Sequence, residues 1–150
     1  ARSGLSNVHP ARIEHERDTK IKRLAGKVDR VLVDAPCSGL GTLRRNPDLK
    51  WRQSEDSVAE LAVKQAAILD AAAKLVRLGG RVVYATCSLL TAENDAIIAA
   101  FLTSHPDFTL TPASAVLAKQ GIALDGDFLR LLPHRHNTDG FFAAILDKKA

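Results

Sequence analysis

The chain has 150 residues, 46% of them hydrophobic and 25% charged, with a formal net charge of +4. This is one domain's worth of chain with a globular composition, which excludes intrinsic disorder and predicts a packed core. No apolar run approaches the ~20 residues of a bilayer span, the first residues, ARSGLSNVHP, lack the charged-then-apolar order of a signal peptide, and two cysteines supply neither a disulfide framework nor a four-ligand zinc site; the location expected by default is the cytoplasm.

In the head, residues 1–27, Ala11 to His15 reads as a short strand and Thr19 to Leu24 as a helical turn. Val28 to Asp34, VDRVLVD, carries the unbroken apolar trio Val31, Leu32 and Val33, which predicts a parallel strand buried on both faces. Ala35 to Gln53 follows, with two prolines, two glycines and four cations. So long an irregular segment inside a compact domain is usually functional.

That loop closes the basic third of the chain. Residues 1–53 hold twelve Lys/Arg against six Asp/Glu, and residues 54–150 hold nine against eleven. A one-sided excess suits a polyanion such as nucleic acid, and equally a solvated basic surface. Arg44, Arg45, Lys50 and Arg52 are the candidate phosphate contacts, with His134, Arg135 and His136 a possible addition to the same rim. Trp51 can stack on a base or pack beneath the loop, and packing is the expected role.

A long helix is predicted from Ser57 to Leu78, with Ser57 and Glu60 at capping-box spacing, an apolar stripe running from Val58 to Val76, and Gly79-Gly80 as its stop. RVVYAT, centred on Val82 and Val83, is the second strand. Strand, long helix, strand is a right-handed parallel crossover. Thr91 is expected to cap a second helix reaching Ser104, with Glu93 and Asp95 near its positive end. FTLT, FLRLL and FFAAIL, the last preceded by an Asp139-Gly140 turn, predict further strands at one edge, including an antiparallel one. The class is α/β, with a mostly parallel sheet and an antiparallel edge strand.

Ligands of open parallel sheets bind beyond the carboxyl ends of the strands. The first strand ends in Asp34-Ala35-Pro36-Cys37-Ser38-Gly39 and the second in Thr86-Cys87-Ser88, so both cysteines follow strands joined by one crossover. Neighbouring strands are about 4.8 Å apart, which turns both thiols toward one crevice. A free cysteine is most often a small buried hydrophobe. Two of them, each in a small polar turn at a strand end, point instead to a catalytic pair.

DAPCSG at 34–39, RRNPDLKWR at 44–52, TCS at 86–88 and DGFF at 139–142 together resemble the RsmB/Sun family of S-adenosylmethionine-dependent RNA cytosine-carbon-5 methyltransferases. The match runs over residues 18–146, in the family's order and spacing. The resemblance implies a partial Rossmann-like class I methyltransferase fold with its first strands missing: an α/β core over 28–150 and a poorly anchored head over 1–27. It makes Cys87 the nucleophile that adds to cytosine carbon 6, Cys37 the residue that resolves the adduct, and Asp34 a contact to the cytosine ring that also lies near the donor. Asp18 is the positional match to an acidic residue near the donor's adenine, and Pro36 completes the implied donor contacts. Cys37 as nucleophile is the alternative, because DNA cytosine methyltransferases use the cysteine of a Pro-Cys pair.

The family's Gly-rich donor turn is not found in this sequence, and SGLGT at 38–42 is no substitute because no helix follows it directly. The chain is therefore expected to be a C-terminal portion of a larger enzyme, with weak or absent donor binding and little methyl transfer alone. The implied partner is RNA, ribosomal before transfer RNA; the oligomeric state is not indicated. Competing readings are a noncatalytic RNA-binding module and a redox dithiol protein, the latter disfavoured by thiols fifty positions apart.

Overall fold

The computed structural model describes residues 4–150; positions 1–3, the start of the head, lie outside the described residues. In chain order it contains α1 (Thr19–Lys22), β1 (Val28–Asp34), α2 (Leu49–Arg52), α3 (Glu55–Leu75), β2 (Val76–Thr86) and α4 (Asp95–Ser104). These are followed by β3 (Phe108–Thr111), α5 (Ala113–Ala118), β4 (Leu129–Leu131), α6 (Pro133–His136) and β5 (Phe141–Lys148).

The sheet runs β1-β2-β5-β3, with β4 also paired to β5. β1 and β2 are parallel, and β5 is antiparallel to β2, β3 and β4. Four strands therefore point one way and β5 the other, the mixed sheet that the sequence predicts. The reversed strand sits one place in from the expected edge, because the short β3 and β4 cover its outer side.

Side chains alternate across a strand, and the face that meets α3 and α4 is the core. Val82, Tyr84, Phe142, Ala144 and Leu146 from the sheet pack with Leu69, Ala72 and Ala73 of α3 and Ile97, Ile98 and Phe101 of α4. Each fully buried Leu, Ile or Phe in such a layer contributes about 1.5–3 kcal/mol relative to exposure. The expectation that β1 is buried on both faces does not hold. Val33 turns into the core at 6% exposure, whereas Leu32 on the opposite face is 71% exposed. β1 has a strand neighbour on one side and a helix layer on one face.

Two helix boundaries differ from the sequence reading. The capping box of α3 is Ser54 with Ser57, each side chain accepting the other's backbone N–H, rather than Ser57 with Glu60. Gly79 and Gly80 do not stop the helix, which ends at Leu75; they form an irregularity in β2, where the pairing jumps from Val28↔Val76 to Arg30↔Arg81. Gly79 takes φ +69, and a Cβ on Gly80 would lie 2.5 Å from Val76 Cγ1. Glycine is needed there to let β2 shed its extra residues and regain register.

In the head, residues 11–15 form no strand, because no sheet edge runs beside them; the helical turn is present as α1. Gly26 N–H donates to Lys74 O (2.9 Å) and Lys27 N–H to Leu75 O (3.0 Å), tying the end of the head to the C-terminal end of α3.

At the other side of the sheet, Asp147 of β5 accepts from Arg81 of β2 at 2.6 and 2.8 Å and from Thr111 of β3 at 2.6 Å. The Arg81 hydrogen bond, aided by Thr111, holds the Asp147 carboxyl below the ordinary carboxylate range. A lowered carboxylate pKa stabilises the fold above the unfolded value near 4, and that contribution is lost as pH falls through the folded one. Asp147→Asn is therefore expected to cost about 1 kcal/mol at neutral pH, a value moderated by solvent screening, and to flatten the stability curve below about pH 4. Urea denaturation at pH 7 and pH 3 measures both effects.

Candidate active site

β1 and β2 are adjacent and in parallel register up to Asp34↔Ala85, and Ala35 N–H donates to Ala85 O at 2.9 Å. The turns that follow the two strands consequently leave the sheet side by side. Cys37 and Cys87 meet there with their sulfurs 3.3 Å apart, both half-buried and both free thiols. The two thiols thus come together at the strand ends, as the sequence reading expects of their positions. Burial, and then the hydrogen bond with Cys87, push the Cys37 thiol up to about 12. Cys37 therefore keeps its proton at neutral pH.

A backbone lattice binds three separate segments at this point. Gly41 N–H donates to Cys87 O (2.8 Å), and Gly140 N–H of the DGFF segment donates to Gly41 O (2.7 Å). The three segments approach so closely that a Cβ on Gly41 would sit 2.3 Å from Gly140 O and 2.7 Å from Cys87 O.

The residues next to the cysteines converge on Glu93, which is completely buried. Its Oε1 accepts from Ser38 N–H (2.8 Å) and Gln65 Nε2 (3.0 Å); its Oε2 accepts from Ser38 Oγ (2.6 Å) and from Ser88 Oγ. Gln65 Nε2 also donates to Pro36 O at 2.9 Å, and the Tyr84 hydroxyl donates to Glu93 O at 2.7 Å. Asn94 accepts from Thr86 Oγ1 (2.6 Å) and donates to Ser88 O (2.9 Å). The sequence reading missed this cluster by treating Glu93 as a charge placed near the positive end of a helix. Because Glu93 and Asn94 turn inward, Thr91–Glu93 form only a 3-10 turn and α4 starts at Asp95, not at Thr91. The one available signal was the repeated Cys-Ser pair, Cys37-Ser38 and Cys87-Ser88.

Asp34 and Pro36 are exposed at the carboxyl end of β1. Asp18 does not join them: its carboxylate caps α1, accepting from Lys20 N–H (2.9 Å) and Glu14 N–H (3.3 Å), bonds that lower its pKa. Its neighbours Glu16, Arg17 and Ile21 border a crevice with Asp70, Lys74 and Leu75 at the far end of α3.

The four cations of the loop are exposed. Arg44 and Arg45 flank Asp139 at 3.8 and 3.2 Å, Arg52 pairs with Asp48 at 2.8 Å, and Lys50 lies 4.8 Å over the Trp51 ring. Trp51 is 81% exposed, which corrects the expectation that it packs beneath the loop; α2 carries it outward, with Lys50 over its ring. His134, Arg135 and His136 lie on the exposed α6. Among the described residues no helix is long and apolar enough to cross a membrane and no cluster could hold a metal ion.

Comparison with known proteins agrees with this geometry. The chain is 49% identical over 122 residues to the probable ribosomal RNA small subunit methyltransferase B of Synechocystis, covering 81% of this chain and 27% of that protein. It is 40% identical over 156 residues to the Bacillus subtilis protein of the same description, covering 99% and 33%. Among solved structures it resembles NSun6 from Pyrococcus horikoshii with SFG, at TM-score 0.79 and 30% identity, covering 99% of this chain and 36% of that one. The chain spans about a third of the length of these relatives. The 16S rRNA methyltransferase RsmB/F profile matches residues 4–147. Two thiols in contact at the ends of parallel strands, in a chain matched by that profile over almost its whole length, place this protein in the 16S rRNA methyltransferase RsmB/F family.

Proposed function

We propose that this chain is the catalytic C-terminal portion of a cytoplasmic RNA cytosine-carbon-5 methyltransferase acting on ribosomal RNA with S-adenosylmethionine as donor. The observation that carries the reading is the 3.3 Å contact between Cys37 and Cys87 at adjacent strand ends. SFG, in the Pyrococcus structure, is an analogue of that donor.

Carbon 5 of cytosine is a poor nucleophile. The Cys87 thiolate adds to carbon 6, and carbon 5 becomes enamine-like and able to attack an electrophilic methyl group. The donor supplies that methyl on a sulfonium. Water at the exposed strand ends takes the carbon 5 proton, the electron pair left behind re-forms the carbon 5–carbon 6 double bond, and the carbon 6–sulfur bond breaks to restore the ring and the Cys87 thiolate; covalent catalysis has divided one hard step into easier ones. Cys37, kept protonated by its burial, assists the release. Asp34 on the rim faces the cytosine's polar edge and stabilises a protonated ring nitrogen, and with Pro36 borders the donor. For this chain alone, little or no methyl transfer is expected.

Arg44, Arg45, Lys50 and Arg52 form the RNA-facing surface, where phosphates compete with Asp139 and Asp48 for the guanidinium groups. An exposed aromatic beside a lysine is a stacking platform for an unpaired base. Trp51→Ala is expected to weaken single-stranded RNA binding by about 1–3 kcal/mol, the usual worth of one stacked base, while folding stability changes by no more than about 0.5 kcal/mol. Fluorescence anisotropy with labelled RNA and a thermal melt read the two quantities. The function itself is tested by incubating the full-length enzyme and donor with 5-fluorocytosine-substituted 16S rRNA. A protein–RNA adduct stable to denaturation is expected; methyl transfer to a ribose or to another base overturns the reading.

A further inference from the structure

We infer that Glu93 is the positioning residue of the reactive pair: one buried carboxylate that fixes the Cys37 and Cys87 turns against each other and so sets the distance between their sulfurs. The inference rests on the reading of Cys37 and Cys87 as the reacting thiols. An ionised carboxylate accepts about four hydrogen bonds, and Glu93 receives four, from Ser38 N–H, Ser38 Oγ, Ser88 Oγ and Gln65 Nε2. Ser38 and Ser88 directly follow the two cysteines, so the same two oxygen atoms hold the residue after each sulfur. Gln65 extends the grip to Pro36 O, immediately before Cys37.

The strand pairing alone does not accomplish this. The β1–β2 register ends at Asp34↔Ala85, three residues before Cys37 and two before Cys87. Beyond it the backbone–backbone links between the two segments, among the described residues, are Ala35 N–H to Ala85 O and Gly41 N–H to Cys87 O, and side-chain contacts run from the Cys37 sulfur to the Cys87 backbone and from Ser38 Oγ to Ser88 Oγ (3.3 Å). Between the two backbone links lies the interval from Pro36 to Leu40. Glu93 fills that interval from a third segment, and is itself braced by Tyr84 through its carbonyl and by Asn94, whose side chain reaches back to Thr86 and Ser88. No salt bridge reaches Glu93 among the described residues, so its ligands are neutral dipoles from the two turns and α3. Buried networks of this type specify a unique geometry when every member is satisfied.

Glu93→Gln preserves the shape and replaces one oxygen by an NH2 group that faces donors. The measurement is the effective concentration of one thiol toward the other, obtained by equilibrating the chain with glutathione and glutathione disulfide and quantifying the intrachain disulfide by mass spectrometry. In that equilibrium two thiols give two protons and two electrons to glutathione disulfide, yielding the Cys37–Cys87 disulfide and two glutathiones. The variant is expected to lower the effective concentration at least tenfold, equivalent to a rise of about 30 mV in the potential of this two-electron couple, while keeping a cooperative melt. Asp147→Asn, which loosens the sheet far from the pair, is expected to leave the value within twofold. A folded Glu93→Gln within twofold of the unaltered chain, or an equal fall in both variants, overturns the inference. Should Glu93→Gln not fold, Ser88→Ala removes one donor and leaves the other three; a threefold or larger fall supports the assignment and an unchanged value refutes it. This couple reports how the sulfurs are held, whereas trapping by 5-fluorocytosine RNA reports what they do, so either idea can fail without the other.

Discussion

Cys87→Ala in the full-length enzyme is expected to abolish the covalent adduct with 5-fluorocytosine RNA and to lower methyl transfer by on the order of 10⁴-fold or more, as deletion of a covalent nucleophile does elsewhere. Cys37→Ala is expected to retain the adduct but accumulate it with unmodified RNA, because the release step is the one impaired. The asymmetry is the one the family resemblance implies, and burial fits it on one side: Cys37, pushed up to about 12, has almost no thiolate at neutral pH. It can donate a proton toward Cys87 across 3.3 Å but is a poor attacking group. Denaturing gel analysis of labelled RNA distinguishes the two variants. The reverse pattern, adduct lost in Cys37→Ala and kept in Cys87→Ala, makes Cys37 the nucleophile and assigns the pair the order used by the DNA enzymes.

Gly41→Ala is the substitution expected to damage the site most through the backbone. Its new methyl would lie 2.3 Å from one carbonyl oxygen and 2.7 Å from another, atoms that belong to Gly140 and Cys87 and are not free side-chain ends. Relief requires separating the loop, the Cys87 turn and the DGFF segment, with loss of the hydrogen bonds Gly41–Cys87 and Gly140–Gly41. Two buried backbone hydrogen bonds plus the imposed strain amount to about 3 kcal/mol, which in a domain of this size lowers the melting temperature by roughly 6–12 °C. Calorimetry measures that fall, and a melting temperature within 2 °C of the unaltered chain would show that the lattice yields without cost. The neighbouring turn glycine Gly39, at φ +73 with Leu49 Cδ1 3.1 Å from its Cβ direction, faces the end of a half-buried side chain rather than backbone, and its constraint is conformational.

The central crossover was legible in the sequence because its signals are local: an apolar run, a helical stripe with polar N-terminal residues, and a second apolar run. The placement of both cysteines followed from the rule that parallel strands deliver ligands at their carboxyl ends. The two misread boundaries have separate causes. Ser57 is a suitable cap by composition but lies one turn inside a helix that Ser54 caps, whereas Gly79-Gly80 suits a helix stop as well as an irregularity in β2, and there the pairing of β2 with β1 decides. Trp51 was misplaced because its side chain is ambivalent by itself, and what decided its exposure was the outward course of α2.

Glu93 marks the deeper limit. A carboxylate near a helix start is ordinarily a solvated partner of the helix dipole, and nothing in its neighbours signals burial. Its donors Ser38 and Gln65 lie 55 and 28 positions away in the chain. Periodicity and short motifs determined by themselves that this is an α/β domain with two thiols at strand ends, because those properties depend on neighbours in the chain. That the sulfurs touch, that Gly41 is wedged between two carbonyls and that a buried carboxylate ties the turns together were decided by the tertiary structure, since hydrogen bonds and steric exclusion act over a few ångströms between segments the sequence keeps far apart.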